Sequence, residues 1–140
     1  MEHKKTLCII KPDVVIQKNV GEVIDELETE FDVKSIKTMT WNRARAEIFY
    51  AEHKGRPFFE GLVEFMTSGP LVAVALEGPD AVRRWRGIMG PTDPNVARNK
   101  EPFSFRARYG TEVPKNGFHG SDSDESAQRE LSMLFPELYA

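Results

Sequence analysis

The chain has 140 residues, of which 40% are hydrophobic and 29% charged, and its formal net charge is −3. This length and composition fit a single packed domain, residues 1–140, and the charge excludes broad binding of nucleic acid through phosphate neutralisation. The single cysteine, Cys8, excludes an intrachain disulfide. The first apolar stretch is too short for a signal peptide or a membrane span, so we expect a cytoplasmic protein that is not bound to membranes.

The first half of the chain alternates short apolar strands with amphipathic helices. Residues 5–11 contain a continuous apolar run, which is typical of a central strand. Apolar residues then recur at helical spacing over residues 20–31, and a half-exposed strand is predicted for residues 33–41. A helical composition follows over residues 43–53, and another helix is predicted to begin after Pro57.

The second half contains the most apolar strand and an aperiodic segment. Residues 71–76 are apolar on both faces of the strand, and a helix is predicted to start at residues 78–80. Periodicity then fails over residues 90–115, which predicts a long loop, and a long loop inside a compact domain is usually functional. A short strand and a last helix follow, and Asp122 and Glu125 form a capping-box-like pair at the start of that helix.

This order of elements resembles the βαββαβ arrangement of ferredoxin-like α+β folds. In such an α/β sandwich, helices pack on a four-stranded antiparallel sheet. Because the predicted strands are apolar on both faces, we expect the second face of the sheet to be covered too, by further helices or by another subunit.

One histidine near the end of the chain has the surroundings of a nucleophile. His119 lies between glycines just before the last helix, and Glu130 falls on the apolar face of that helix, between Ala127 and Leu134. A carboxylate on a buried face needs a partner, and an imidazole held through one ring nitrogen can attack with the other. The alternative is a histidine in a turn and a glutamate whose carboxylate reaches solvent. The three histidines are scattered along the chain and predict no metal cluster.

Five segments, in order, resemble those of the nucleoside diphosphate kinase family over nearly the whole chain. Each alone is a weak signal, but their shared order and approximate spacing make the resemblance specific. They are TLCIIKPD at residues 6–13, FYAEHKGRPFF at 49–59, SGP at 68–70, RGIMGPT at 86–92 and NGFHGSDS at 116–123, and Glu130 follows the last of them.

The resemblance implies a reaction and a set of catalytic residues. The terminal phosphate of a nucleoside triphosphate such as ATP would pass to a nucleoside diphosphate in two steps, through a phosphohistidine. His119 would be the nucleophile, and Glu130, with Ser121 nearby, would orient its ring. Around the transferred phosphoryl group and the ribose hydroxyls would lie Lys11, Tyr50 and Asn116.

The resemblance also implies how the rest of the nucleotide binds. Mg²⁺ would be the cofactor, held by the nucleotide phosphates without a direct protein ligand. Phe58 would stack on the base, and one aromatic face predicts little preference among bases. The nucleotide-binding residues implied are Lys11, His53, Phe58, Leu62, Arg86, Thr92, Arg106, Val113 and Asn116, of which His53, Arg86, Thr92 and Arg106 would hold the other phosphates.

The chain departs from many members of the family between Thr92 and Arg106, where the loop is longer, and at its short C-terminus. Pro91 also removes a backbone donor there and stiffens the loop. A catalytically weak nucleotide-binding regulatory or scaffold protein is therefore an alternative function. A third is a phosphohistidine protein that passes phosphate to another protein. The resemblance implies a homo-oligomer, and dimer, tetramer and hexamer remain open.

Overall fold

Four antiparallel strands form the sheet on which the rest of the chain packs. In the computed structural model, which describes residues 3–139, the strand order is β2-β3-β1-β4. The central strands β1 and β3 pair over their whole length, whereas the short β4 pairs with β1 and sets His119 opposite Ile9. The strands are β1 (His3–Ile10), β2 (Asp32–Met39), β3 (Leu71–Pro79) and β4 (Phe118–Gly120).

The helices among the described residues differ widely in length. The longest are α2 and α8, and two single turns of 3₁₀ helix, Ala51–His53 and Pro136–Tyr139, follow α3 and α8. The α-helices are α1 (Pro12–Ile16), α2 (Val20–Glu30), α3 (Arg43–Phe49), α4 (Phe59–Met66), α5 (Ala81–Met89), α6 (Pro94–Lys100), α7 (Phe105–Tyr109) and α8 (Asp124–Leu134).

Helices cover both faces of the sheet and give the chain two hydrophobic cores. Side chains alternate along a strand, so Leu7 and Ile9 of β1 face α3, α4 and α8, whereas Cys8 and Ile10 face α2, α5 and α7. All four side chains are fully buried. The predicted α+β fold is confirmed, and further helices of the same chain account for the apolar second face.

The long loop predicted for residues 90–115 is wrong, because much of it is helical. Pro94 occupies the first turn of α6, whose N-cap Asp93 accepts a hydrogen bond from a backbone N–H, and Ser104 caps α7 in the same way. These helices are short, and α6 buries only Pro94 and Ala97. So few apolar contacts leave no periodicity that sequence analysis could detect.

Several predicted boundaries also move. Pro12 ends β1 but begins α1, a helix that the sequence analysis missed. The helix predicted for residues 43–53 ends at Phe49 and is followed by a 3₁₀ turn. Gly78 and Pro79 still pair with β1, so the next helix starts at Ala81.

The cap of α8 is Ser123 rather than the predicted Asp122. The Ser123 side chain accepts a hydrogen bond from the backbone N–H of Ser126 at 3.0 Å. Asp124 and Glu125 lie in the first turn, where negative charge complements the helix dipole. The displacement frees the Asp122 carboxylate for another role, and it lines the cavity described below.

Replacement of Ser123 by Ala should lower the free energy of unfolding by about 1 kcal/mol, because the N–H group that it caps loses its partner. We expect a melting temperature about 3 °C lower in thermal denaturation. The matched control is Ser132→Ala, an exposed position inside the same helix, where alanine should be neutral or slightly stabilising. Equal melting temperatures for the two variants would contradict the assignment of the cap.

Candidate active site

One cavity of about 530 Å³ gathers nearly all the residues that the sequence singled out. It opens where the ends of β1 and β4 meet α3, α4, α5 and the segment that follows α7. Ser121 is the exception, since it is fully buried behind the cavity wall. The predicted residues that line the cavity are Lys11, Tyr50, His53, Phe58, Leu62, Arg86, Thr92, Arg106, Val113, Asn116, His119 and Glu130.

His119 is held through one ring nitrogen by a buried carboxylate. Its Nε2 lies 2.8 Å from Oε1 of Glu130, and the Ser121 hydroxyl donates to the same oxygen at 2.9 Å. Ser121 in turn accepts a hydrogen bond from the backbone N–H of Leu7, at 3.3 Å, which ties the group to β1. Glu130 is 3% exposed, so its oxygens need polar partners, and Arg129 Nη2 lies 3.7 Å from the other oxygen, Oε2. With Nε2 engaged, Nδ1 is the ring nitrogen left to react.

Lys11 and Asn116 form a buried polar pair on the cavity wall. Lys11 Nζ donates to Asn116 Oδ1 at 2.8 Å, and Asn116 Nδ2 donates to the backbone oxygen of Thr92 at 3.0 Å. Burial, together with the positive charge of Arg106, lowers the pKa of Lys11 to about 7. An anion bound beside Lys11 would favour the protonated amine and so raise its pKa again.

Two arginines add positive charge to the cavity. Arg106 donates from Nη1 to the backbone oxygen of Gly90 at 2.9 Å and from Nη2 to that of Phe118 at 3.0 Å. Its Nε is buried without a hydrogen-bond partner among the described residues. Burial and the nearby charge of Arg86 lower the pKa of Arg106 to about 10. Arg86, in the last turn of α5, is exposed toward the cavity.

Aromatic rings surround the imidazole and lead outward to solvent. Phe49 lies edge-on to His119 with ring centroids 5.1 Å apart, and Tyr50 lies edge-on at 6.2 Å. The Tyr50 hydroxyl is buried, and no described residue gives it a hydrogen bond. Burial, followed by the charge of Glu130, raises the pKa of Tyr50, so the hydroxyl stays a donor.

The outer part of the cavity is an apolar slot. Phe58 is 49% and Val113 51% exposed, which is unusual for large apolar side chains, whereas Leu62 forms a nearly buried floor. The His53 ring packs edge-on against Phe58 at 5.2 Å and stacks on Tyr50 at 6.0 Å. A flat ligand can enter between exposed apolar groups of this kind.

Sequence reasoning missed three residues that matter here. Asp122 lines the cavity, and a hydrogen bond from Ser126 and the charge of Arg86 lower its pKa. Its position directly after the HGS motif was the available signal, but it was read as a helix cap. Phe49 and Arg98 gave no local signal, because their roles depend on contacts between distant segments.

Arg98 fastens α6 to the turn that begins at Gly110, beside the wall of the cavity. From α6 its guanidinium donates to the backbone oxygens of Gly110 and Thr111, both at 2.9 Å, and to Asn95 Oδ1 at 2.7 Å. The turn that begins at Gly110 carries Val113 and leads to Asn116. The segment between Thr92 and Arg106 therefore supports the cavity, and both of its end residues line it.

None of the helices in the described part of the chain is long and apolar enough to cross a membrane. No group of three or more His, Cys, Asp or Glu side chains among residues 3–139 is arranged to hold a metal ion.

Comparison with known proteins identifies the family. The family model for nucleoside diphosphate kinase matches residues 4–139. Curated relatives include the nucleoside diphosphate kinase of Aquifex aeolicus, 46% identical over 99% of this chain and 98% of that protein. Nucleoside diphosphate kinase 6 of Danio rerio is 46% identical over 96% of this chain and 78% of its own length. The chain belongs to the nucleoside diphosphate kinase family.

Solved structures agree with this assignment. A crystal form of the Aquifex aeolicus enzyme superimposes with a TM-score of 0.95 at 45% identity, covering 98% of both chains. The Halobacterium salinarum enzyme, solved in complex with CDP, gives a TM-score of 0.88 at 36% identity, over 96% of this chain and 88% of that one. The predicted membership of the nucleoside diphosphate kinase family and the predicted phosphotransferase activity are confirmed.

The lowered pKa of Lys11 predicts a pH dependence of stability. Between pH 7 and 10.5 the unfolded chain keeps a proton that the folded chain has lost. The free energy of unfolding should therefore rise with pH across this window, by up to about 1.4 kcal/mol per pH unit. Urea denaturation should show this rise in the wild type but not in Lys11→Met. The exposed control Lys100→Met should keep it, and parallel curves for wild type and Lys11→Met would contradict the assignment.

Removal of the Arg98 guanidinium should loosen the wall that carries Val113 and Asn116. We expect Arg98→Ala to raise KM for nucleoside diphosphates about ten-fold, with kcat changed less than about two-fold, because the binding that is lost is shared by the ground state and the transition state. The control is Arg108→Ala, since Arg108 bonds to the Phe103 backbone oxygen and pairs with Glu26 away from the cavity. Steady-state kinetics in which both variants match the wild type would refute the fastening role.

Proposed function

We propose that His119 carries the phosphoryl group between nucleotides. Its Nδ1 would attack the terminal phosphorus of a nucleoside triphosphate, so that an N–P bond forms while the bond to the bridging oxygen breaks. The nucleoside diphosphate leaves with the electron pair. A second nucleoside diphosphate then attacks the phosphohistidine, and the same steps run in reverse. The observation that carries this proposal is the Glu130 hydrogen bond to Nε2, at 2.8 Å, which leaves Nδ1 with its lone pair.

Glu130 and Ser121 orient the imidazole in this mechanism. In this mechanism the protonated Nε2 donates a hydrogen bond to the buried carboxylate. This bond selects the tautomer in which Nδ1 carries no proton. The carboxylate also stabilises the positive charge that spreads over the ring when the N–P bond forms. Its second partner, the Ser121 hydroxyl, keeps Oε1 in place at 2.9 Å.

Lys11, Tyr50 and the arginines would stabilise the transferred group. Phosphoryl transfer depends mainly on positioning and on neutralising charge spread over the phosphate oxygens. Lys11 and the unpartnered Tyr50 hydroxyl are donors at the inner end of the cavity, near His119. The other phosphates would bind to His53, Arg86, Thr92 and Arg106, where guanidinium groups match phosphate oxygens.

The sugar and base would occupy the outer part of the same cavity. Asn116, held between Lys11 and the Thr92 backbone oxygen, is placed to bond a ribose hydroxyl. Phe58 would stack on the base, with Leu62 and Val113 on either side. This slot has no charged group that reads a base edge, so we expect several bases to be accepted. The similar Halobacterium salinarum protein was solved with CDP, which supports a nucleoside diphosphate as ligand.

Mg²⁺ fits this site as a cofactor of the nucleotide rather than of the protein. The cavity is rich in cations, and the described residues offer no cluster of ligands, so the ion would be held by phosphate oxygens and water. Asp122 is the carboxylate in the cavity best able to accept hydrogen bonds from water on such an ion. When bound, the ion would neutralise charge on the phosphates.

Three broader features belong to the same proposal. We infer that residues 1–140 act as one domain, since the family model extends over residues 4–139. We also infer a homo-oligomer of undetermined size and a cytoplasmic location, which suits an enzyme acting on free nucleotides. The alternative of a weakly active scaffold is less well supported, because the segment between Thr92 and Arg106 keeps both of its end residues in the cavity.

Intact-mass measurement after incubation with Mg-ATP alone tests the proposal. The wild type should gain one phosphoryl group at neutral pH. Acid treatment of one sample should remove this group, and addition of GDP to another sample should remove it as well. His119→Ala should gain none, because the nucleophile is absent. His53→Ala should still be phosphorylated, although more ATP would be needed. A wild type that binds ATP without any gain of mass would refute the mechanism.

A further inference from the structure

The backbone of the nucleophile is held by an indole behind it. Trp85, fully buried on α5, donates a hydrogen bond from Nε1 to the backbone oxygen of His119 at 3.1 Å. The contact lies on the opposite side of His119 from its ring, which Glu130 holds at 2.8 Å. The residue is thus restrained at two points, one on the side chain and one on the main chain.

Trp85 and β4 pack too closely for either to shift. A Cβ added to Gly120 would lie 2.8 Å from both Cδ1 and Nε1 of Trp85 and would also strike Met89, so only glycine fits there. The indole is enclosed edge-on by Phe105 at 5.5 Å and Phe118 at 6.0 Å. Side chains packed in this way keep one rotamer, and a hydrogen bond from such a group is well oriented.

The position of β4 in the sheet gives this hydrogen bond its importance. β4 is an edge strand that pairs with β1 alone in the described sheet. The His119 backbone oxygen therefore takes its hydrogen bond from a side chain instead of from a further strand. If the indole N–H were lost, the oxygen would lose this partner, and one of the two restraints on His119 would be removed.

The helix that carries Trp85 also carries a cation of the cavity. Arg86 follows Trp85 directly and lines the cavity that holds the His119 ring. Successive residues of a helix point in directions about 100° apart, so α5 can contact the His119 backbone with one and face the cavity with the next. One rigid element thereby sets the distance between the nucleophile and a positive charge.

We propose that Trp85 is a positioning residue for phosphoryl transfer, and that its indole N–H fixes the His119 backbone relative to the cations on and near α5. The proposal rests on the function proposed above. It predicts that loss of the N–H slows chemistry at His119 while nucleotide binding changes little. Lys11 and Asn116 keep their hydrogen bonds to each other and to the Thr92 backbone oxygen, and Arg106 keeps its bond to the backbone oxygen of Gly90.

The test compares Trp85→Phe with Trp41→Phe. Both indoles are nearly or fully buried, but Trp41 donates to the sulfur of Met39 at 3.1 Å and lies in the other core, against Phe49. The two variants thus remove the same group and leave similar cavities. Rapid quenching and intact mass would give the rate of His119 phosphorylation at saturating Mg-ATP, and calorimetry would give the Kd for ADP.

We expect Trp85→Phe to be phosphorylated about ten-fold more slowly, with a Kd for ADP within about two-fold of the wild-type value, because a small displacement of the nucleophile affects only the chemical step. Trp41 packs against Phe49 and Tyr50, but its indole N–H donates to Met39 and not to the His119 backbone. Trp41→Phe should therefore lose less than about two-fold in the rate of phosphorylation and keep the wild-type Kd for ADP. Equal rates for Trp85→Phe and wild type, or an equal loss in both variants, would overturn the proposal. A wild type that is never phosphorylated would instead refute the proposed function and this proposal with it.

A second measurement covers the case in which Trp85→Phe does not fold. In Trp41→Phe the chain keeps Trp85 as its single tryptophan. Its indole ¹⁵N–¹H signal should shift when Mg-ATP phosphorylates His119 and return when GDP is added, because the hydrogen bond joins the two groups. An indole signal unchanged through a complete phosphorylation cycle would overturn the proposal.

Discussion

The hydrogen bond between Glu130 and His119 is the contact on which the rest of the site depends. It joins α8 to the edge of the sheet and exists only if β1, β4 and α8 pack in one register. The carboxylate is 3% exposed and has the imidazole and the Ser121 hydroxyl on Oε1, while Arg129 Nη2 lies 3.7 Å from Oε2. Folding of the core therefore also brings the His119 ring and its partner together, since moving either would remove hydrogen bonds from a buried polar group.

The cations of the cavity repel one another until a ligand arrives. Burial is the larger cause of the lowered pKa of both Arg106 and Lys11, and the charge of Arg86 adds to it at Arg106, as that of Arg106 does at Lys11. A bound polyphosphate would oppose these effects because it places negative charge beside the protonated groups. The site thus binds its substrate partly through relief of its own repulsion, which suits a reaction in which the anion itself is transferred.

The sequence was enough to predict what depends on local pattern or on family motifs. The apolar runs of β1 and β3 predicted the sheet, and the NGFHGSDS segment with Glu130 predicted the contact between His119 and a carboxylate that the structure contains. The role of His119 as nucleophile stays a prediction. Sequence analysis failed for α6 and α7, since helices of seven and five residues are too short for a helical period to repeat. Sequence analysis also failed for Trp85 and Arg98. Their partners are backbone oxygens of distant segments, and every residue has a backbone oxygen, so the residue types of the partners give no signal.

The hydrogen bonds of Arg98 determine which residues near the cavity can be substituted. Its guanidinium bonds to the main-chain oxygens of Gly110 and Thr111 rather than to side chains. Any residue except those that distort the backbone can then occupy the neighbouring positions, including Val113 at the mouth of the slot. The backbone bonds to Arg98 hold the turn in place, whereas side chains such as Val113 form the proposed contacts with the base. Substitutions at the side chains can therefore accumulate without loss of the turn.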